Sequence, residues 1–312
     1  MQNNFKLSSK DYKILAGADW PTYSDYLQGK MNKRVSFEIQ KFEQEICSNT
    51  RPILQINVNY IFKYVLPNFI LAVLALWLFF YLDGTIEKFI LLFFVFRIKN
   101  YLWHIVVHKW LCHYQFEPKK WARPILLSFT VIGSRIGTGA SPIGFIKAHW
   151  CHHKNQDTEI DPYPVSWGLL NMMLIGEKPY KTYPLGRWLI APDIKFVMRN
   201  WRILRLLYWT VFAFIDIHYF ILSFVFMGLY DSCTAGFESY LYHDGFRTGQ
   251  PIDKYHFLGY PIVLFLGSNW MHKSHTDNPW VFNCSTINPK LIDLEYHLLK
   301  IFAEKECGYI KT

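Results

Sequence analysis

Residues 64–82 read YVLPNFILAVLALWLFFYL, 19 positions without a charged side chain. At 1.5 Å per residue such a stretch makes about 28 Å of helix, enough to cross the hydrocarbon of a bilayer. A second apolar run over 86–106 follows a short polar connection that holds Asp83 and Glu87. A third apolar region, 203–237, is interrupted at Asp216-Ile-His218 and reads as two helices meeting at that break. The pattern predicts an all-α integral membrane protein with four transmembrane helices in two hairpins, at about 64–82, 86–106, 200–216 and 219–237.

Composition agrees. The chain is 51% apolar and only 18% charged, an apolar share above that of an average soluble domain. The two tight connections hold Asp83, Glu87 and Asp216 with Lys88 as the only base, whereas the long polar regions carry nearly all of the 33 lysines and arginines. Positive charge stays on the cytoplasmic side of a membrane, so both termini and the central region are expected there. The net charge of +9 then reads as a topology and lipid-surface signal. Nucleic acid is excluded as a partner, because no basic helix or aromatic RNA-binding signature accompanies the charge. Six cysteines form no paired framework, and a reducing cytosolic face suits Cys112 and Cys151 best. Their spacing is not CxxC, which disfavours structural zinc. The N-terminus lacks the basic-then-apolar order of a signal peptide, so the first span is expected to direct insertion.

Three parts are expected along the chain: a cytosolic arm over 1–56, helical at 34–48; a membrane domain over 57–290; and a C-terminal cytosolic tail over 291–312, with helix around 290–303. The glycine-rich run 133–142 fits neither nucleotide-phosphate motif and reads as a helix break that lets backbone approach a ligand channel. Residues 163–195 mix Trp167, Tyr180, Tyr183 and Trp188 with prolines and bases, as an interfacial segment does. His218, His256 and His297 read as surface or interface residues.

Eight other histidines fall in four clusters beside the apolar stretches: His108 and His113; His149, His152 and His153; His243; His272 and His275. Neutral imidazole suits iron, copper, zinc and nickel alike. On a helix His149, His152 and His153 share one face and can converge on a metal centre. The step from His108 to His113 turns about 140° away at 3.6 residues per turn. Either the helix ends or bends between them, or His104 replaces one member. His272 and His275 lie one turn apart. Eight imidazoles exceed the four to six ligands that one metal takes, so two metals are expected. Zinc can bind, but an all-nitrogen set without cysteine or carboxylate better suits a redox-active iron pair. A soluble di-iron bundle would carry paired ExxH motifs, and the chain has none. A metal transporter would place ionisable residues inside its spans, which here hold almost none.

At these residues the sequence resembles the integral-membrane fatty acid desaturases, the histidine-box group that acts on acyl-CoA or acyl lipids. The first box of that family, HxxxxH with a short aromatic run, stands here as HKWLCHYQF from His108. The second, HRxHHxxxDTxxDPH/Y, is matched by His149-Trp-Cys-His152-His153-Lys-Asn-Gln-Asp157-Thr158-Glu-Ile-Asp161-Pro162-Tyr163. Gly139-Ala-Ser141-Pro142 and His243-Asp-Gly245-Phe-Arg247 are similar to two further family stretches. The third box, HNxHH, is matched in part by His272-Lys-Ser-His275-Thr276, and the likeness covers about 60–290.

The resemblance implies a four-span protein whose cytosolic helical cap carries a histidine-rich di-metal site. It implies two iron ions held by His108, His113, His149, His152, His153, His243, His272 and His275, with dioxygen as co-substrate and no catalytic residue separate from the ligands. Asp157 and Asp161 would orient ligand imidazoles. A cis double bond would enter a fatty acyl chain, with electrons from a separate ferredoxin or cytochrome b5-type donor. A lipid hydroxylase or ketolase on the same scaffold is the alternative. Thr276 stands where the family usually has a ninth histidine, and Ser239 where it has an asparagine. One metal would then be under-coordinated, or be completed by Asp277, Glu238, Asn269 or water, with Thr276 beside it.

Overall fold

The computed structural model describes residues 66–132, 142–158, 161–175, 187–226, 231–246, 248–253 and 271–307. The arm 1–56 with its expected helix, residues 133–141, Tyr180, Tyr183, residues 227–230 of the expected fourth span, His256 and Asn269 lie outside the described residues.

The described chain is mostly helical. Helix α1, Leu66–Tyr81, turns into α2, Ile86–Ile105, which continues as a wider π-helical stretch over Val106–Cys112. Then follow β1 (Phe116–Pro118), α3 (Ala122–Ile132), α4 (Pro142–Asn155) and α5 (Leu169–Ile175). Next come α6 (Pro192–Ile215), α7 (Ile217–Val225) and α8 (Asp231–Tyr242). Two short helices close the order, α9 (His272–Asp277) and α10 (Leu294–Leu299), before β2 (Ala303–Glu306).

The run Ile86–Cys112, 27 residues long, is the one helix among the described residues long and apolar enough to cross a membrane. Its start is set locally. Asp83 takes a left-handed φ of 62°, and Gly84 follows where a Cβ would lie 2.5 Å from the Phe79 carbonyl. The Thr85 hydroxyl then accepts the Lys88 amide at 3.2 Å as an N-cap. The break at Asp216 has the same logic, its carboxylate accepting the His218 amide at 2.9 Å and so starting α7. These two turns meet. Lys88 Nζ lies 3.1 Å from Asp216 and 2.8 Å from His218 Nδ1, while His218 Nε2 donates to the Leu82 carbonyl at 2.7 Å. An ammonium only donates and a carbonyl only accepts, so His218 is fixed with its proton on Nε2. Between α1, α2, α6 and α7 the core is aromatic, with Phe79 and Phe96 fully enclosed and Phe96 stacked on Tyr219 at 4.5 Å.

Beyond the far end of α2 lies a second core, built on Trp110, Leu111, Cys112, Phe116, Ile146 and Phe282. Helix α8 packs closely on α5 because Gly236 has no side chain; a Cβ there would sit 2.3 Å from the Met172 carbonyl. The C-terminal segment is not the helical tail expected over 290–303. Its helix covers only Leu294–Leu299, and Ala303–Glu306 then pairs antiparallel with Phe116–Pro118. The reason is apolar: Leu299 and Phe282 belong to the core that holds Trp110, which draws the segment onto the first histidine box.

Candidate metal centre

Helix α2 resolves the five-residue step of the first box by widening. Over Val106–Cys112 the backbone is π-helical, and the His113 amide donates to the His108 carbonyl, five residues back, at 3.1 Å. An i→i+5 turn brings the chain round to nearly the same side after five residues, so both imidazoles face one point. His104 is not needed for that; its ring lies 5.1 Å from that of His108, outside the histidine group. The carbonyls left over where the helix ends are taken up by two indoles. Trp188 Nε1 donates to Leu111 at 2.7 Å and Trp150 Nε1 to Cys112 at 3.1 Å. Trp150 is therefore a buried helix cap.

Lys109, between the two histidines, turns the other way. Its ammonium lies 3.1 Å from Asp293 and 3.4 Å from Glu295, all three side chains being nearly inaccessible. Asp293 also accepts the amides of Cys284 and Tyr296 at 2.9 Å each, so a single carboxylate caps α10 and clamps it to the first box. Sequence reasoning missed this cluster, because Lys109 is 184 residues from Asp293 and nothing in their local patterns links them.

The eight histidines come together as two adjoining groups. His108, His113, His149, His153 and His275 form one and His152, His243 and His272 the other; within each, ring nitrogens lie within 4.8 Å of one another. The rings of His149 and His152, one from each group, are 6.0 Å apart. The expectation that His149, His152 and His153 converge on one centre is corrected. Residues four apart differ by about 40° around a helix and residues three apart by about 60° the other way. His149 and His153 accordingly join the larger group and His152 the smaller. Helix α9 divides in the same manner, His275 going to the larger group and His272 to the smaller.

Protonation logic favours a cation in each group. In the smaller one, His152 Nδ1 lies 2.9 and 3.0 Å from the Asp161 oxygens, and His243 Nδ1 lies 3.1 Å from Asp157. A carboxylate accepts, so both rings carry their proton on Nδ1 and present bare Nε2 lone pairs to each other's neighbourhood. His272 Nε2, 2.9 Å from that of His243, carries at most one proton and can satisfy only one of these two lone pairs. In the larger group Nε2 of His108 lies 2.9 Å from Nε2 of both His149 and His275, and Nε2 of His149 lies 2.9 Å from that of His153. Each Nε2 holds either one proton or one lone pair, so three such contacts among four atoms cannot all be hydrogen bonds. One shared metal ion satisfies them all. Metal–nitrogen bonds of about 2.0–2.1 Å at right angles put donor atoms about 3 Å apart, close to these separations. Burial, with the neighbouring imidazoles next, lowers the pKa of His149, His153, His272 and His275 well below the usual histidine range. His113 is pushed down to about 3, by burial first and the Lys109 ammonium second. Neutral rings are the form that binds metal.

The loop after the second box is built around Asp161. Fully buried, it also accepts the amides of Asp157 at 2.6 Å and Tyr163 at 2.8 Å. That turn holds Asp157 at a left-handed φ of 58° and brings its carboxylate under His243. Two other candidate completing residues are not in either group. Glu238 is ion-paired with Arg97 at 3.4 Å, and Asp277, exposed, with Lys273 at 2.6 Å. The base that holds Glu238 comes from α2, and the one that holds Asp277 from one turn earlier on α9. Thr276 lies beside His275, its hydroxyl oxygen buried with no hydrogen-bond partner among the described residues. Cys112 and Cys151 are buried and form no disulfide among the described residues. Among the spare histidines, His297 is exposed on α10. No protein-family model, no curated protein and no solved structure matches the chain.

Proposed function

We propose that the protein is a membrane-embedded, oxygen-dependent fatty acyl desaturase in which the two histidine groups hold a pair of iron ions. The single observation that carries this reading is the convergence of eight imidazoles, seven of them on buried residues and His153 on a partly buried one, from four distant parts of the chain, into two adjoining all-nitrogen groups. Among the described residues no thiolate joins either group, and the carboxylates Asp157 and Asp161 touch rings from behind, at Nδ1. Imidazole sets of this kind suit redox-active iron, and a carboxylate behind the ring fixes its orientation and raises its basicity.

Four spans in two hairpins are part of the proposal. Support comes from the side chains turned outward on α1, α2 and α6: Trp77, Leu91, Leu206 and Phe214 are 61–88% exposed. Apolar belts of that extent belong against lipid. His108 stands 20 residues beyond Lys88, and about 30 Å of helix is one hydrocarbon thickness. The tied turns and the histidines would then lie at opposite faces, the histidines on the cytosolic one.

When bound, the iron pair supplies the oxidising power by which dioxygen removes two hydrogens from adjacent methylenes. Dioxygen leaves as two waters, taking up those two hydrogens, two electrons from a separate ferredoxin or cytochrome b5-type donor and two protons. The chain's own contribution is to position neutral imidazoles, through Asp157, Asp161 and the π turn, and to enclose them away from water. Expression in a host that lacks unsaturated fatty acids, followed by lipid mass spectrometry, tests this. A new cis double bond is expected; an acyl chain carrying an added oxygen instead would make the protein a hydroxylase or ketolase.

A further inference from the structure

The two groups differ in what they offer a metal. The larger supplies five imidazoles and the smaller three. Metals in such sites take about four to six ligands, so five donors nearly complete a coordination sphere, whereas three leave positions open. Open positions distinguish sites that accept an external ligand from closed, structural ones.

Thr276 stands where a fourth donor of the smaller group would be. Residues 272 and 276 are four apart on α9, about 40° around the helix, whereas His275 is turned about 60° the other way, into the larger group. A side chain at 276 therefore shares the flank of His272 and the smaller group. A neutral hydroxyl is a poor metal donor, and this one is buried with no hydrogen-bond partner among the described residues. Among the described residues the nearby carboxylates do not fill the place. Asp157 and Asp161 bond the ring nitrogens that face away from the group, and Glu238 and Asp277 are held by Arg97 and Lys273.

The geometry points to an unequal pair. The five-imidazole site is closed and holds its metal tightly. The three-imidazole site holds its metal weakly and keeps open positions for a small external ligand, water or an anion, which the Thr276 hydroxyl hydrogen-bonds. The inference rests on the metal reading of the two groups and is independent of the acyl substrate.

The test challenges the purified, metal-loaded full-length protein with rising EDTA and measures metal per chain, with azide as the anion probe. The wild type is expected to release one metal at a chelator concentration at least about tenfold below the other, giving a plateau at one per chain. His243→Ala is expected to start on that plateau and keep the resistant metal. Thr276→His adds an imidazole on the His272 flank; it is expected to abolish the plateau and weaken azide binding at least about tenfold. Thr276→Val is expected to keep the plateau, which separates the added donor from mere loss of the hydroxyl. Release of both metals in one step by the wild type, or a plateau untouched by Thr276→His, overturns the inference. Should Thr276→His fail to fold, His243→Ala decides, and loss of its resistant metal overturns it. Absence of metal from the purified wild type overturns the metal reading itself.

Discussion

Asp161 holds His152 from behind, its two carboxylate oxygens 2.9 and 3.0 Å from the ring Nδ1. The same carboxylate receives two backbone amides, so it orients the ring and shapes the loop that carries Asp157. Asp161→Asn keeps an acceptor but removes the charge. Metal retention by the smaller group is expected to fall about 10–100-fold, with the protein still folded. Metal analysis of the variant under chelator challenge checks this, and unchanged retention contradicts it.

Lys109→Met leaves Asp293 and Glu295 as buried carboxylates without their ammonium. Breaking a buried ion pair from one side costs about 3–5 kcal/mol. A lower unfolding temperature in detergent is expected, partly restored by adding Asp293→Asn, whose amide can still cap α10. A variant as stable as the wild type would remove the clamp from the account.

Trp188→Phe keeps the packing surface but deprives the Leu111 carbonyl of its donor. One unsatisfied buried acceptor costs about 1–3 kcal/mol. Thermal unfolding reads the loss. Lys88→Met, which breaks the tie between the hairpin turns, is expected to cost less than about 1 kcal/mol, because that pair is partly exposed.

Metal-free protein is expected to weaken as pH falls below about 6.5, the ordinary histidine value. The buried rings of His113, His149, His153, His272 and His275 have depressed folded-state values, so the unfolded chain takes up protons that the folded chain refuses. Their contribution is full above pH 6.5 and declines as pH falls, for His113 until about pH 3. Each such ring costs up to about 1.4 kcal/mol per pH unit in that window. Between pH 6.5 and 5 ordinary carboxylates hardly titrate, so denaturant midpoints measured there isolate the effect. A flat profile over that interval would count against neutral, buried rings.

Much of this centre is legible in the residues themselves. Charge-free runs, the polar break at Asp216 and the spacing of the histidines are local signals, and each corresponds to an element or a cluster in the fold. The partition of the histidines is not local. It follows from the difference between three- and four-residue steps, which sequence shows, and from where α4 and α9 face each other, which it does not. The HxxxxH spacing could have pointed to a π turn, since a regular helix cannot bring those rings to one side. Lys109 reads as an ordinary surface base until Asp293 and Glu295, far along the chain, are folded onto it. The C-terminal strand pairing was hidden for the same reason: four residues of mixed charge carry no strand pattern until β1 is beside them.

Anomalous diffraction at the iron absorption edge, on crystals of the full-length protein, tests the central claim most directly. Two iron peaks are expected, one about 2.0–2.2 Å from the nitrogens of His108, His113, His149, His153 and His275, the other at that distance from those of His152, His243 and His272. A single peak, or peaks bound by other side chains, would contradict the two-metal centre.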